Sequence, residues 1–336
     1  MAPLEAMILA AGRGTRLQPA TLTTPKPLIP FFDIPLIEFA LRRLVRLGIR
    51  RCVVNVWYEG AQLVRAFEAI EERLGGALKI VLSQEKELMG TGGGIALARK
   101  YFDGNPVLVM NSDILVHADL EGFVKRHREW GGAASLLVER GDQNPTLKTT
   151  RVTPQGRVEA IGRGGQMGDD AGIFSGIYIL EPEAYRMLPQ RPCSVVTEVF
   201  LPLISSSAPP RGELASFPWR DLGTWGCYLD ASMHIVSGPT LLRGVNRGAF
   251  LEVSEGAPGR FTVRRHEPSG TSVGVYVGPD VVVEPGSRLD SGVVLGRAAV
   301  VRSGASLDGC VVFPGVEVTG SYCDAIIGPG WTQARP

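Results

Sequence analysis

From Val277 onward the chain keeps a period of six: Val277, Val283, Leu289, Leu295, Val301, Leu307, Phe313, Thr319 and Ala325 stand six residues apart. All but Thr319 are apolar, and the positions four further on, among them Val281, Val293, Ala299 and Ala305, are mostly small. Glycine and proline fill the gaps. Neither a helix nor a simple two-faced strand has this period. It is the pattern of a parallel β-helix, in which each hexad forms one side of a triangular coil. Nine hexads make about three coils, and Thr319 and Glu317 predict that the last is irregular.

The N-terminal part follows a different rule, with apolar runs too short for helices alternating with helical stripes. Met7–Ala10, Cys52–Val56, Ile80–Leu82 and Val107–Met110 read as buried strands. Leu36, Ile37, Ala40, Leu41, Leu44, Val45 and Leu47 fall at helical spacing and stop at Gly48; Leu63, Phe67, Ile70 and Leu74 do the same before Gly75 and Gly76. Such alternation predicts an α/β fold with a Rossmann-like, mostly parallel sheet covered by helices. Composition shifts near residue 236, where Ser237-Gly238-Pro239 and Gly256-Ala257-Pro258-Gly259 read as loop. The expected organisation is therefore an α/β domain over 1–235, a linker over 236–272 and the β-helix over 273–336.

Chemistry concentrates between Met7 and Pro30, in MILAAGRGTRLQPATLTTPKPLIP. Gly12 and Gly14 let an anion approach the backbone, and Arg16 offers a fork of donors to phosphate. Lys26, flanked by Pro25 and Pro27, is presented from a stiff extended segment. The loop lacks the third glycine of a dinucleotide fingerprint, having Leu17 there, and the GK[ST] end of a Walker loop. A bare GxG is also an ordinary strand-to-loop turn. Asp113 ends a strand in Asn111-Ser112-Asp113, and Asp221 lies in Trp219-Arg220-Asp221-Leu222-Gly223-Thr224. Each alone is unremarkable. Beside a phosphate loop they form the acidic pair that Mg²⁺ needs, since it takes one or two carboxylates plus phosphate oxygens and water.

The string GxGTRLxP, followed by Thr24-Pro25-Lys26-Pro27-Leu28 and Pro35-Leu36-Ile37, closely resembles the signature of the sugar-1-phosphate nucleotidyltransferases, or NDP-sugar pyrophosphorylases. The resemblance runs from Met7 to about Ala231. It implies a nucleotidyltransferase domain whose nucleotide is held by Ala10, Ala11, Gly12, Arg13, Gly14 and Thr15. Arg16, Lys26, Asp113 and Asp221 are then catalytic, with Asp113 and Asp221 as the metal ligands. Ser112 replaces the family's usual glycine and Trp225 its frequent proline, but neither change removes a carboxylate. By position, Glu85, Gly90 and Thr91 in Ser83–Gly94 are expected on the nucleobase and Gly92 on the sugar. The strand Phe174-Ser175-Gly176-Ile177-Tyr178 and the segment Val196-Thr197-Glu198 resemble sugar-pocket segments, which adds Gly176, Thr197 and Glu198. The hexad tail resembles the left-handed β-helix appended to many members. One departure is Gly162-Arg163-Gly164-Gly165 where many members carry Glu-Lys-Pro, so Arg163 or Lys148 is left to face the sugar phosphate.

The implied reaction joins a nucleoside triphosphate to a sugar 1-phosphate and releases pyrophosphate. Glu85–Leu97 is similar to mannose-1-phosphate guanylyltransferases, while Thr91-Gly92-Gly93-Gly94-Ile95 is closer to N-acetylmuramate-1-phosphate uridylyltransferases, which generally lack the tail. The guanylyl reading is preferred. The alternatives are a uridylyl- or thymidylyltransferase and a non-catalytic regulatory or nucleotide-sugar-binding subunit. Hexapeptide acyltransferases share the tail's fold, but His117, His127, His234 and His266 all precede the repeat, so the β-helix is expected to be structural, serving packing or homo-oligomerisation. A formal net charge of +1 gives no basic excess for nucleic acid or membrane, and no apolar run approaches the roughly 20 residues of a membrane span. With no signal-peptide pattern, a cytoplasmic location is expected. Five scattered cysteines, none in CxxC spacing, read as reduced thiols.

Overall fold

The computed structural model of the chain describes residues 3–57, 61–140, 147–163, 168–236, 260–265 and 272–335. They fall into two compact units that interleave along the chain. One comprises Met1–Arg13, Ala40–Ser112 and Ala118–Phe217; the other comprises Gly14–Phe39, Asp113–His117 and Pro218–Pro336.

The first unit is built on a nine-stranded sheet. Its parallel half runs Lys79–Gln84, Arg51–Val56, Glu5–Leu9, Val107–Asn111. These are the short apolar runs of the sequence; the middles of the three inner strands are buried, as crossover strands with both faces covered must be, while Val81 and Leu82 of the edge strand Lys79–Gln84 are half-buried. The long strand Ala171–Leu180 then runs antiparallel to Val107–Asn111 and joins Lys148–Val152, Val158–Arg163 and Ala134–Glu139 to the sheet; Arg211–Ala215 pairs with the last of these. Helices Ala61–Arg73, Gly90–Ala98 and Leu120–Trp130 belong to this unit, as does the helix Leu36–Arg46 from Ala40 onward. Met7, Val53, Val109, Leu136, Tyr178 and Phe200 belong to its core. The parallel strands end at Leu9, Val56, Gln84 and Asn111, and ligands of open α/β sheets bind beyond such carboxyl ends.

In the second unit three parallel sheets form the faces of a β-helix. One stacks Ser272–Val277, Val293–Leu295, Cys310–Val312 and Ala325–Gly328; the next stacks Val282–Val283, Val300–Val301 and Glu317–Val318; the third stacks Arg288–Leu289, Ser306–Asp308 and Ser321–Cys323. Between the first two coils partners are offset by eighteen residues, three hexads, as Val275 with Val293 and Val282 with Val300. The offset then shortens: Leu295 pairs with Val312, and Ser306 with Ser321. The strict period therefore breaks after Leu307, at the left-handed Gly309. Val312 takes the place expected of Phe313, and Val318 that expected of Thr319. Phe313 instead packs against Trp225 and Tyr228 of the helix Trp225–Val236, and against Trp331.

Of the stretch expected as a linker, 237–259 and 266–271 lie outside the described residues, and Arg260–Arg265 is a strand antiparallel to Ser272–Val277. The β-helix also shares one hydrophobic core with the helix Trp225–Val236 and with Leu17, Ile29, Phe31, Phe32 and Phe39. The expected boundary at 235 thus divides what is packed as a single unit. No described helix is long and apolar enough to cross a membrane.

The contact between that helix and the first coil leaves no room at Gly274, where a Cβ would fall on the Val236 carbonyl. Gly274→Ala is expected to destabilise the protein by about 3 kcal/mol, the upper range for overpacking. Thermal unfolding checks this; an unchanged Tm would show that the helix can move away at little cost.

Candidate active site

Asp113 and Asp221 are brought together by backbone pairing. The strand Ile114–Val116 runs antiparallel to Trp219–Asp221 with Asp221 opposite Ile114, and the Leu222 amide donates to the Asp113 carbonyl at 2.8 Å. Ile114, Leu115, Val116 and Leu222 are buried, which pins both aspartates to the second unit's core. Beyond Asp221 the chain turns sharply: the Gly223 amide donates to Asp221 Oδ1 at 2.5 Å. Thr224 Oγ1 then accepts from the Cys227 amide at 3.2 Å, a side-chain cap on the helix Trp225–Val236.

Arg16 and Lys26 come from the same unit. Gly14 is left-handed, with φ of 65°, and opens the turn Thr15–Leu17; a Cβ there would also lie 2.8 Å from Thr21 Cγ2. Leu17 is buried and anchors the turn, leaving Thr15 and Arg16 exposed. Lys26 begins the turn Lys26–Leu28, and its ammonium pairs with the Asp113 carboxylate, with both side chains largely buried. All four expected catalytic residues meet here. A Cβ built on Gly223 would lie 2.7 Å from Asp221 Oδ1, 2.8 Å from Arg16 Nη2 and 3.0 Å from Asp113 Oδ2, so these groups surround one small space that glycine leaves open.

Burial, and then repulsion by Asp113, raise the Asp221 pKa; the Gly223 amide, Lys26 and Arg16 oppose the rise. Two carboxylates converging on a space the size of a methyl group suit a hard divalent cation. Among the described residues no group of three or more His, Cys, Asp or Glu could hold a metal, so the remaining ligands would be water or substrate oxygens, as is usual for Mg²⁺.

The first unit arranges the other expected residues around a buried polar chain. The Ala10 amide donates to Asn55 Oδ1 at 2.9 Å, Asn55 Nδ2 donates to Glu85 Oε1 at 2.7 Å, and the Met89 amide donates to Glu85 Oε2 at 3.0 Å. Glu85 is 1% exposed, and burial raises its pKa against the pull of these hydrogen bonds. Both of its oxygens are committed to the protein, and so is the Ala10 amide. Glu85 is thus a buried support that ties Asn55 to the Met89 backbone. Asn55 escaped the sequence reading, although a lone asparagine in Val53-Val54-Asn55-Val56 was a signal that a buried polar partner existed.

The glycines of Gly90–Gly94 serve packing. They open the helix Gly90–Ala98, and Gly92, Gly93 and Gly94 are buried in it. A Cβ on Gly90 would come within 2.5 Å of the Cys193 carbonyl, on Gly92 within 2.8 Å of Cys193 Sγ, and on Gly94 within 2.6 Å of Glu85 Oε1. The Gly92 amide donates to the Cys193 carbonyl at 3.0 Å. Gly90 and Thr91 are exposed, and Thr91 Oγ1 accepts from the Val195 amide at 3.0 Å. Gly12 and Arg13 are exposed beside the half-buried Ala11; Gly12 has open space at its Cβ position, and the Arg13 guanidinium sits 5.3 Å over the Trp57 ring.

Gly176 makes a bulge in its strand at φ of 78°, where any side chain would strike Asn111. Thr197 Oγ1 donates to the Ser194 carbonyl at 3.1 Å, and Glu198 pairs with Arg191 at 3.3 Å. Lys148 opens its strand opposite Arg163. The Arg163 side chain, Gly164 and Gly165 lie outside the described residues.

The family model described as "Nucleotidyl transferase" matches residues 5–238. A probable mannose-1-phosphate guanylyltransferase 3 from Oryza sativa subsp. japonica is 32% identical over 97% of this chain and 86% of its own length. The mannose-1-phosphate guanylyltransferase catalytic subunit beta of Danio rerio is 34% identical over 66% of this chain and 61% of its own. In fold the chain is similar to a Bacillus anthracis crystal structure, assigned as a glucose-1-phosphate thymidylyltransferase and solved with sucrose; the TM-score is 0.60 at 18% identity, over 68% of this chain and 94% of that one.

The raised Asp221 pKa fixes the sign of a stability test without divalent cation. A carboxyl whose folded pKa exceeds the ordinary 3.8 contributes stability below that value and loses it as pH rises through the folded pKa. Asp221→Asn keeps an acceptor for Gly223 and removes the repulsion. Its Tm advantage over the native chain should be absent near pH 3.8 and grow toward neutrality. A variant less stable than the native chain at pH 7 would contradict the repulsion.

Proposed function

Because the chain belongs to the nucleotidyl transferase family, we propose that it condenses GTP with mannose 1-phosphate, forming GDP-mannose and pyrophosphate. The observation that carries the reaction class is the convergence of Arg16, Asp113 and Asp221 on the space at Gly223, with Lys26 paired to Asp113. The choice of base and sugar follows the relatives named for that reaction, which match nearly the whole chain, β-helix included.

In this reading an oxygen of the sugar phosphate attacks the α-phosphorus in line, and the bond from that phosphorus to the bridging oxygen of the departing pyrophosphate breaks. No protein nucleophile takes part, so catalysis consists of positioning and charge stabilisation. The backbone of Ala11, Gly12, Arg13, Gly14 and Thr15 receives the phosphates, and Arg16 holds the β- and γ-oxygens as they leave. Lys26 offsets the mutual repulsion of the two phosphates that must meet. Asp113 and Asp221 would hold Mg²⁺, which when bound supplies positive charge at the phosphate oxygens. Gly90 and Thr91 are proposed to meet the nucleobase, supported from beneath by Glu85 and Asn55. Gly176, Thr197 and Glu198 are proposed for the sugar, with Lys148 as a candidate for its phosphate. A cytoplasmic homo-oligomer is the proposed setting.

Pyrophosphate release measured with Mg²⁺ across five nucleoside triphosphates and several hexose 1-phosphates tests the reading. The strongest signal is expected for GTP with mannose 1-phosphate, and a blank grid would turn the account toward a non-catalytic subunit. Gly223→Ala fills the space between the carboxylates, and Lys26→Ala removes the ammonium. Each should lower kcat by roughly 10²- to 10³-fold, the usual loss for one group that stabilises transition-state charge, without loss of helix signal. Native turnover in Gly223→Ala would sink the assignment of that space.

A further inference from the structure

The segment that carries Arg16 and Lys26 ends in a small hairpin, Pro30–Phe31 paired with Ile34–Pro35. Its two-residue turn is Phe32-Asp33, with φ of 51° and 62°. Turns with both central residues at positive φ are made by asparagine, aspartate and glycine, and phenylalanine has no local reason to be there. The reason lies on the β-helix. Tyr276, fully buried, donates its hydroxyl to Asp33 Oδ2 at 2.9 Å, lies 3.2 Å from the Phe32 carbonyl, and meets the Phe32 ring edge to face at 5.1 Å. The Arg297 amide donates to Asp33 Oδ1 at 2.8 Å. At Gly278 a Cβ would lie 2.5 Å from Asp33 Oδ2 and 2.7 Å from the Arg297 nitrogen, so glycine alone leaves room for the carboxylate.

The chain behind the turn is fastened in the same way. Tyr228 donates to the Pro30 carbonyl at 2.5 Å, and Trp225 Nε1 to the Gln18 carbonyl at 2.7 Å. Inside the segment, the Leu36 amide donates to the Ile29 carbonyl, and the Ile29 amide to the Lys26 carbonyl. The hairpin and these two backbone hydrogen bonds therefore tie the stretch between the Asp33 cradle and Lys26 into one compact turn.

We propose that the rim of the β-helix at Tyr276, Gly278 and Arg297 serves catalysis, with Asp33 and Tyr276 as positioning residues that hold Lys26 and Arg16 against the aspartate pair. The inference rests on the proposed role of those two cations. It assigns the tail a task within its own chain, beyond the packing or oligomer surface that hexad repeats usually provide. Both Asp33 oxygens act as acceptors, and an asparagine can keep the Arg297 amide on its oxygen while its NH₂ donates to the Tyr276 hydroxyl, whose own proton turns to the Phe32 carbonyl. Asparagine should therefore serve nearly as well.

The test compares Asp33→Ala, Gly278→Ala and Asp33→Asn with Leu307→Ala, a cavity inside the coil far along the chain from the cradle. Loss of positioning should appear in kcat, because the ground-state phosphate contacts survive a loosened loop while the aligned transition state does not. Asp33→Ala and Gly278→Ala are expected to lower kcat by roughly 10- to 100-fold with the KM for triphosphate within about twofold, and Asp33→Asn to restore kcat. Leu307→Ala should lower Tm and leave kcat unchanged. Hydrogen exchange at the Leu28 and Ile29 amides gives a readout that does not depend on turnover: it should quicken in Asp33→Ala and not in Leu307→Ala. Native kcat and native exchange in Asp33→Ala would overturn the proposal. An inactive native chain whose exchange still responds to Asp33→Ala would support the clamp and refute the proposed reaction instead.

Discussion

Two carboxylates held at one point are the constraint from which the rest of the second unit follows. Asp113 and Asp221 repel each other, and the fold brings them together through a short antiparallel ladder whose flanking residues are buried. The repulsion is offset locally by the Lys26 ammonium, the Arg16 guanidinium and the Gly223 amide, and burial first, then the repulsion, leave Asp221 with a raised pKa. Such a site is held against its own electrostatics by the surrounding core, the usual way in which a functional constellation is kept in an unfavourable arrangement. That core is the one shared by the signature segment, the helix Trp225–Val236 and the β-helix.

This sharing changes what the tail is for. A hexad repeat read alone suggests an appended module. Here the aromatic residues Phe31, Phe32, Tyr228, Tyr276 and Phe313 belong to one cluster, and Tyr228 and Tyr276 each turn a hydroxyl onto the hairpin that follows Lys26. Buried tyrosines placed in this way combine apolar contact with a directed hydrogen bond. The break in the hexad period has the same origin: with one residue fewer at the Gly309 corner, Phe313 is directed toward Trp225 and Tyr228 while Val312 takes its place in the register.

Much of this was legible in the sequence. The strands and helices of the α/β part stand where the apolar periods put them, because burial is what periodicity reports. Arg16, Lys26, Asp113 and Asp221 could be named because the motifs around them resemble those of a known family, whereas residue type and local turns alone left each aspartate unremarkable. What stayed hidden were partners. Gly92, Gly93 and Gly94 gave no sign of what they pack against, yet they are helical glycines set against Cys193, Arg191 and Asn55, far off in the chain. Asn55 and the Asp33 cradle depend on residues that no local window contains. A period tells which side of an element is buried and leaves unnamed what it is buried against.

The central claim is that Asp113 and Asp221 jointly hold the divalent cation that serves the triphosphate. Crystals of the chain grown with Mn²⁺ and a non-hydrolysable GTP analogue would test it through the anomalous signal of manganese. The account predicts a peak within ligand distance of both carboxylates, in the space beside Gly223, with phosphate oxygens completing the sphere. A manganese peak bound to neither aspartate, beside a fully ordered triphosphate, would contradict it.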